Sequence, residues 1–234
     1  MTSAIRNIIV FVKNAGRYLR QSRHLDTHDS IALRMRLARD TLDSFGIHYT
    51  LPDEAQIQAQ PQCIYVANHA SLLDALLIVA TFGENLRILA KDSLFHLPWL
   101  GAILKKEKHI MVKRSSKSAG RGEAVREAIR NAIADGGSVL VFPEGTRTRD
   151  GNLGTFKHGA FYNAIQNQVP IVPIVVRGTF EAMPKTTLKI KSGDCSLEIL
   201  PPIPLPDASM GDEKTRATYL CEQARNAILE RLGH

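Results

Sequence analysis

The apolar positions of this chain change period near residue 62. In AIRNIIVFVKNAGRYLR, residues 4–20, Ile5, Ile8, Ile9, Val12 and Leu19 fall at helical spacing. Arg6, Asn7, Lys13, Asn14, Arg17 and Arg20 take the other side, so the pattern predicts an amphipathic helix. Ile31, Met35, Ala38, Leu42 and Phe45 then step by four and three. That narrow seam predicts a second helix over residues 30–45, with Asp29 as its N-cap, Gly46 as its stop and the first helix as its antiparallel partner. A polar, Gln-rich stretch, residues 52–61, forms a soft boundary.

Beyond it, short apolar runs alternate with helical patterns. Strands are predicted over residues 64–67, 87–90, 109–112, 138–142 and 171–177, and helices over 71–81, 118–134 and 158–167. Residues 186–191 and 195–200, joined around Ser192-Gly193-Asp194, read as a hairpin on the sheet edge. A last helix runs from near residue 212 to near 232. The alternation defines the fold class: α/β, with a mostly parallel central sheet flanked by helices and an N-terminal amphipathic helical pair before it. The division expected is 1–46 for the helical, membrane-associating segment and 47–234 for the α/β domain.

The chain of 234 residues is 44% hydrophobic, enough for a sizeable core and too much for a disordered chain. Its net charge of +7 favours anionic partners: phospholipid head groups, nucleic acid or phosphorylated substrates. Five of those net charges lie in residues 1–40, where eight Lys/Arg face three Asp/Glu. A basic amphipathic helix there reads either as lying in a lipid interface or as packed on its own domain. No apolar run reaches the length of a membrane span or of an export signal. Cys63, Cys195 and Cys221, an odd and widely spaced set, argue against a disulfide framework and a zinc ribbon, and a reducing cytosol suits them.

NHASLLD, residues 68–74, follows the first of the later strands. His69 and Asp74 read three ways: base with orienting acid, metal ligands, or a capping aspartate beside a surface histidine. Five residues along a helix turn by about 500°, so the two meet only if His69 sits in the turn before the helix. Ser71 is a cap candidate, with a nucleophile reading beside it. No third ligand stands at a recognisable spacing for a metal. FPEGTRTRDG, residues 142–151, again follows a strand, and HIMVKR, residues 109–114, ends in Lys113 and Arg114. Carboxyl ends of parallel strands share one side. The His–Asp pair, two cations, Glu144, Arg147 and Arg149 therefore converge, which fits a substrate with a reactive hydroxyl and a phosphate. Cys63, His96 and His109 read as structural, His158 as a weaker contact candidate, and Trp99 as a packing side chain ahead of a lipid contact.

Together NHASLLD, AKDSLFHLPWLG (90–101), HIMVKR, FPEGTRTRDG, FKHGAF (156–161) and VPIVPIVV (169–176) resemble the glycerolipid acyltransferase family, in particular the 1-acylglycerol-3-phosphate (lysophosphatidic acid) acyltransferases, over residues 60–180. The resemblance implies His69 as general base and Asp74 as its orienting acid. It implies Glu144, Gly145, Thr146 and Arg147 as the acceptor-binding block, Arg114 at the acceptor phosphate, Lys91 near the site, and Pro173 in the block that shapes the pocket. His109 and Lys113 depart from the family pattern in the second block, and Lys113 reads either as an added phosphate contact or as the mark of another head group. The implied reaction moves a fatty acyl group from acyl-CoA or acyl-ACP (acyl carrier protein) to a lysophospholipid, with no metal and no cofactor. Its implied setting is the cytoplasmic face of an anionic membrane, peripheral or monotopic. Lyso-ornithine lipid and glycerol 3-phosphate are alternative acceptors. A non-enzymatic basic membrane or nucleic-acid binder is the rival class, but the chain lacks the aromatic interleaving of single-strand binders, so no nucleic-acid partner is expected.

Overall fold

In the computed structural model, which describes residues 3–83, 86–113 and 121–233, the run before NHASLLD lies at the centre of a seven-stranded sheet. This strand, β2 (Ile64–Ala67), is buried along its length between β5 (Ser138–Val141) and β6 (Ile171–Arg177). β3 (Leu86–Lys91) and β4 (Ile110–Val112) extend the sheet beyond β5, making five parallel strands. On the far side β7 (Gly193–Ile199) pairs antiparallel with β6, and β1 (Ile47–Thr50) pairs parallel with β7 at the edge. The order is β1-β7-β6-β2-β5-β3-β4.

The helices are α1 (Ser3–Gln21), α2 (Thr27–Ser44), α3 (Glu54–Gln58), α4 (Leu73–Thr81), α5 (Leu100–Lys106), α6 (Arg121–Ala134), α7 (Gly159–Gln166), α8 (Thr179–Ala182) and α9 (Glu213–Leu232). Both sheet faces are covered, so the central strands are continuously apolar rather than alternating. Tyr65, Ala67, Val172 and Ile174 pack on one face with Leu73, Leu77 and Ile78 of α4. Ile64, Val66, Val139 and Val175 pack on the other with Ile129 of α6, Phe161 of α7 and Leu220 and Ala224 of α9.

Three expectations change. Residues 186–191 form no strand, and β7 pairs with β6 and β1 instead of closing a hairpin. The edge position is filled by the short IHYT run that follows Gly46, so no neighbour is left for residues 186–191. Asp26, not Asp29, caps α2, its carboxylate accepting the Asp29 N–H at 2.8 Å. Lastly, Ala38, Leu42 and Phe45 of α2 face the core beneath α4, while Leu33 and Leu37 meet Tyr18 of α1. The α4 layer needs an apolar cover, and the seam supplies it.

In α1, Asn7, Ala15 and Tyr18 are buried, whereas Ile5, Ile8 and Ile9 are about half exposed. A surface helix ordinarily turns its apolar stripe inward; here the most apolar stripe faces out. Among the described residues no helix is long and apolar enough to cross a membrane.

Candidate active site

The turn after β2 brings His69 and Asp74 together. His69 Nδ1 lies 2.8 Å from Asp74 Oδ2, which also accepts the backbone N–H groups of Ala70 and Ser71 at 2.8 and 2.9 Å. Asp74 Oδ1 accepts the Thr179 hydroxyl at 2.6 Å. A backbone N–H can only donate, so Oδ2 is an acceptor and His69 Nδ1 carries the proton facing it. The Nε2 lone pair is thereby left for substrate. The imidazole stacks on Phe142, ring centres 4.0 Å apart.

Ser71 is fully buried, donates its hydroxyl to the Met183 carbonyl at 2.7 Å and accepts the Leu73 N–H. That arrangement favours a structural role over a nucleophile. Asn68 holds Val176 of β6 through a reciprocal pair of 2.8 Å bonds. The turn is thus tied to β6 on one side and, through Glu144, to β5 on the other.

Both oxygens of Glu144 hold backbone: Oε1 accepts the His69 N–H at 2.8 Å and Oε2 the Gly154 N–H at 3.0 Å. Burial raises its pKa more than these two donors lower it. Glu144 therefore braces the His69 backbone, and it does not itself line the cavity beside His69. Gly145 follows at φ 71°, in the left-handed region that favours glycine, and a Cβ there would lie 2.7 Å from Lys157 Nζ. Lys185 reaches over this turn to Thr146 Oγ1 at 2.8 Å and to the Arg147 carbonyl at 3.1 Å.

A cavity of about 1040 Å³ opens beside His69. Lys91, Lys113, Gly145, Thr146 and Lys157 line it together with a wall of Leu72, Ala75, Leu94, Ile129, Val141 and Phe142. It can take a charged head at one place and a hydrocarbon chain at another. Arg147 is not among the lining residues. It is partly buried, which lowers its pKa, while the charge of Asp74 acts to raise it. Arg149 is exposed. Arg114 lies outside the described residues. Sequence reasoning missed Thr179, Lys157 and Lys185. Thr179 lies two residues past the end of β6, where the strand-end rule that found His69 would have pointed, and Lys157 adjoins His158.

His109, the departure in the second block, has a structural use. Its Nδ1 accepts the Ile88 N–H at 3.2 Å, beside the β3–β4 pairing. Burial, helped by the charges of Arg34 and Arg87, pushes its pKa down to about 3 from 6.5. Because the folded value is depressed, the unfolded chain takes up the proton first. The stability contributed is complete above pH 6.5 and falls with pH toward 3, by about 1.4 kcal/mol per unit. A His109→Asn variant keeps an acceptor and loses the titration. In urea melts its stability gap between pH 8 and pH 5 is expected to be narrower than wild type by about 2 kcal/mol.

An α/β sheet carrying a His–Asp pair at a central strand end, beside an apolar cavity rimmed by cations, is suited to acyl transfer. The Acyltransferase family model matches residues 48–177, more than half of the chain, and the chain belongs to this family. Among its relatives are 1-acyl-sn-glycerol-3-phosphate acyltransferase BAT2, chloroplastic, of Brassica napus, 33% identical over 172 residues, and 1-acyl-sn-glycerol-3-phosphate acyltransferase beta of Homo sapiens, 27% identical over 211. The first alignment covers 73% of this chain and 46% of the plant protein; the second covers 90% and 72%. The chain spans about half the length of the plant relatives it matches. The crystal structure of the 1-acyl-sn-glycerophosphate (LPA) acyltransferase, PlsC, from Thermotoga maritima shares the fold, with a TM-score of 0.73 at 21% identity, covering 100% of this chain and 99% of that one.

Proposed function

We propose that the chain is a 1-acylglycerol-3-phosphate O-acyltransferase that makes phosphatidic acid at the surface of an anionic membrane. The observation that carries this reading is the His69–Asp74 contact beside a cavity with both ammonium groups and an apolar wall. His69 Nε2 takes the proton of the acceptor hydroxyl as its oxygen bonds to the thioester carbonyl carbon. Such a hydroxyl is scarcely ionised at pH 7, so the base contributes about 10²–10⁴-fold. The tetrahedral intermediate collapses, the C–S bond breaks, and the thiolate leaves with the proton returned from the imidazolium. The donor is acyl-CoA or acyl carrier protein, and no cofactor or metal takes part.

The N–H groups of His69, Ala70, Ser71, Gly145 and Thr148 are engaged by protein acceptors. We assign the oxyanion and the acceptor phosphate to the Thr146 hydroxyl and to Lys91, Lys113 and Lys157, which line the same cavity. The outward Ile5, Ile8 and Ile9 of α1, with exposed Arg6, Lys13 and Arg17, suit peripheral attachment to the anionic cytoplasmic face of a membrane.

Transfer from acyl-CoA and from acyl carrier protein to 1-acylglycerol-3-phosphate, glycerol 3-phosphate, lyso-ornithine lipid and monoacylglycerol tests the reading. The phosphate-bearing lysolipid is expected to be the best acceptor, and Lys113→Gln to raise its KM more than it lowers kcat. A preference for a phosphate-free acceptor would overturn the role of the lysines. Lack of transfer to every acceptor would overturn the activity.

A further inference from the structure

The strongest feature outside the catalytic junction is the LPWLG segment. Trp99, the one tryptophan of the chain, stands 45% exposed, and Leu97 beside it 48%. Nothing in a core requires this, and the backbone holds Trp99 out. The Leu100 N–H donates to the Pro98 carbonyl at 2.6 Å, closing a three-residue turn with Trp99 at φ 59°, ψ −54°. Such a γ-turn is rare and strained for a side-chain-bearing residue. The turn is fastened from behind: the Gly101 N–H donates to the Leu97 carbonyl at 2.8 Å, and a Cβ on Gly101 would sit 2.2 Å from the Phe95 carbonyl oxygen.

The indole lies against α1. A Cβ on Gly16 would be 3.9 Å from Trp99 Cδ1 and Nε1, an ordinary contact distance, so this edge of the ring packs beside Gly16. Gly16 shares the face of α1 that carries Ile5, Ile9 and Val12, at spacings of three and four. Trp99 thus continues the outward apolar stripe of α1 onto the α/β domain. Cations flank the joint face: Lys13, Arg17 and Arg20 on α1, and Lys105 and Lys106 on α5, all exposed. An amphipathic indole at the end of an apolar stripe rimmed by cations matches the interface of an anionic bilayer.

We propose that Trp99, with Leu97, forms a second lipid-contacting point, which sits in the interface of an anionic bilayer together with α1. It rests on the lipid-surface reading above and adds to it an anchor on the catalytic domain itself. The consequence for the site is direct. Lys91 and Leu94, which line the cavity, are joined to this anchor by a single 3₁₀ turn, Asp92–His96. Docking Trp99 therefore holds the cavity wall close to the bilayer surface from which a lysolipid enters.

Because the chain has one tryptophan, the intrinsic emission of the unaltered chain reports Trp99 alone. It would be recorded with vesicles of phosphatidylglycerol and phosphatidylcholine, some carrying acyl chains brominated near the head group, with vesicle sedimentation run in parallel. Expected are emission at shorter wavelength, quenching by the brominated lipid, loss of iodide quenching, and vesicle affinity about tenfold weaker in Trp99→Gln. Co-sedimentation with emission unchanged and still open to iodide would overturn the proposal while leaving attachment by α1 intact. Absence of co-sedimentation would overturn both. A blue shift without lipid that grows with protein concentration would overturn it in favour of self-association.

Discussion

Acyl transfer by an Asp74→Asn variant is expected to fall by about 10²–10⁴-fold with little loss of stability. The geometry explains why asparagine is the informative change. An amide oxygen in the place of Oδ2 can still accept the Ala70 and Ser71 N–H groups and His69 Nδ1–H. The amide nitrogen in the place of Oδ1 would face the Thr179 hydroxyl, which can turn to accept. Hydrogen bonding survives, and only the negative charge that stabilises a developing imidazolium is lost. Asp74→Ala instead strands these donors in a fully buried site, at about 1–3 kcal/mol for each one left unsatisfied. Activity and a urea melt on both variants separate the effects. An Asn variant with kcat within about threefold of wild type would remove Asp74 from the chemistry, because general-base assistance of the usual size would then be intact without its charge. His69→Ala, which loses the base itself, is expected to be at least as inactive.

The second large effect is structural and lies away from the cavity. Arg34 of α2 forms an ion pair with Glu107, side chains 10% and 11% exposed, and donates to the carbonyls of Phe82 and Gly83. The Tyr18 hydroxyl of α1 donates to the same carboxylate and lies 3.2 Å from the Ser30 hydroxyl. Burial, reinforced by the Glu107 hydrogen bond, pushes the Tyr18 pKa up to about 12, so the phenol remains a donor. This cluster fastens α1 and α2 to the ends of α4 and α5. Glu107→Ala leaves a buried guanidinium without its counter-charge and is expected to cost about 3–5 kcal/mol in urea melts. The combined change Arg34→Met, Glu107→Leu and Tyr18→Phe removes every charge at once and is expected to be far milder than the single substitution. If the single change costs less than about 1 kcal/mol, the pair behaves as a solvated surface bridge.

This cluster, which joins residues far apart in the chain, has no sign in the sequence pattern, whereas the central strands do. β2 and β6 were legible to the residue, because a strand covered on both faces is an unbroken apolar run with polar ends. The His–Asp pair was legible because both partners lie on one short turn. What failed depended on neighbours distant in sequence. The alternation in residues 186–191 has the period of a strand, yet pairing is decided by what lies alongside. The four residues of β1, which the sequence pattern assigns to no element, take the place beside β7. The inward seam of α2 was correctly composed and wrongly aimed, since periodicity gives a face but not the partner it meets. Glu144 carries no local sign of its role, for it holds Gly154 and His69, and Thr179, though near a strand end, reaches an Asp74 that lies 105 positions earlier.

The positioning of His69 by remote partners has a bearing on how the protein is made. His69 is held by Glu144, 75 positions later, and Asn68 by Val176, 108 later; Asp74 awaits Thr179, 105 later. Strand β2 leaves the ribosome early but occupies the middle of the finished sheet, between two strands still to be synthesised. A nascent chain or a fragment ending before residue 179 therefore contains the whole NHASLLD motif and lacks the partners that aim it. The order of synthesis thus separates the appearance of the motif from its orientation, which waits for the ends of β5 and β6.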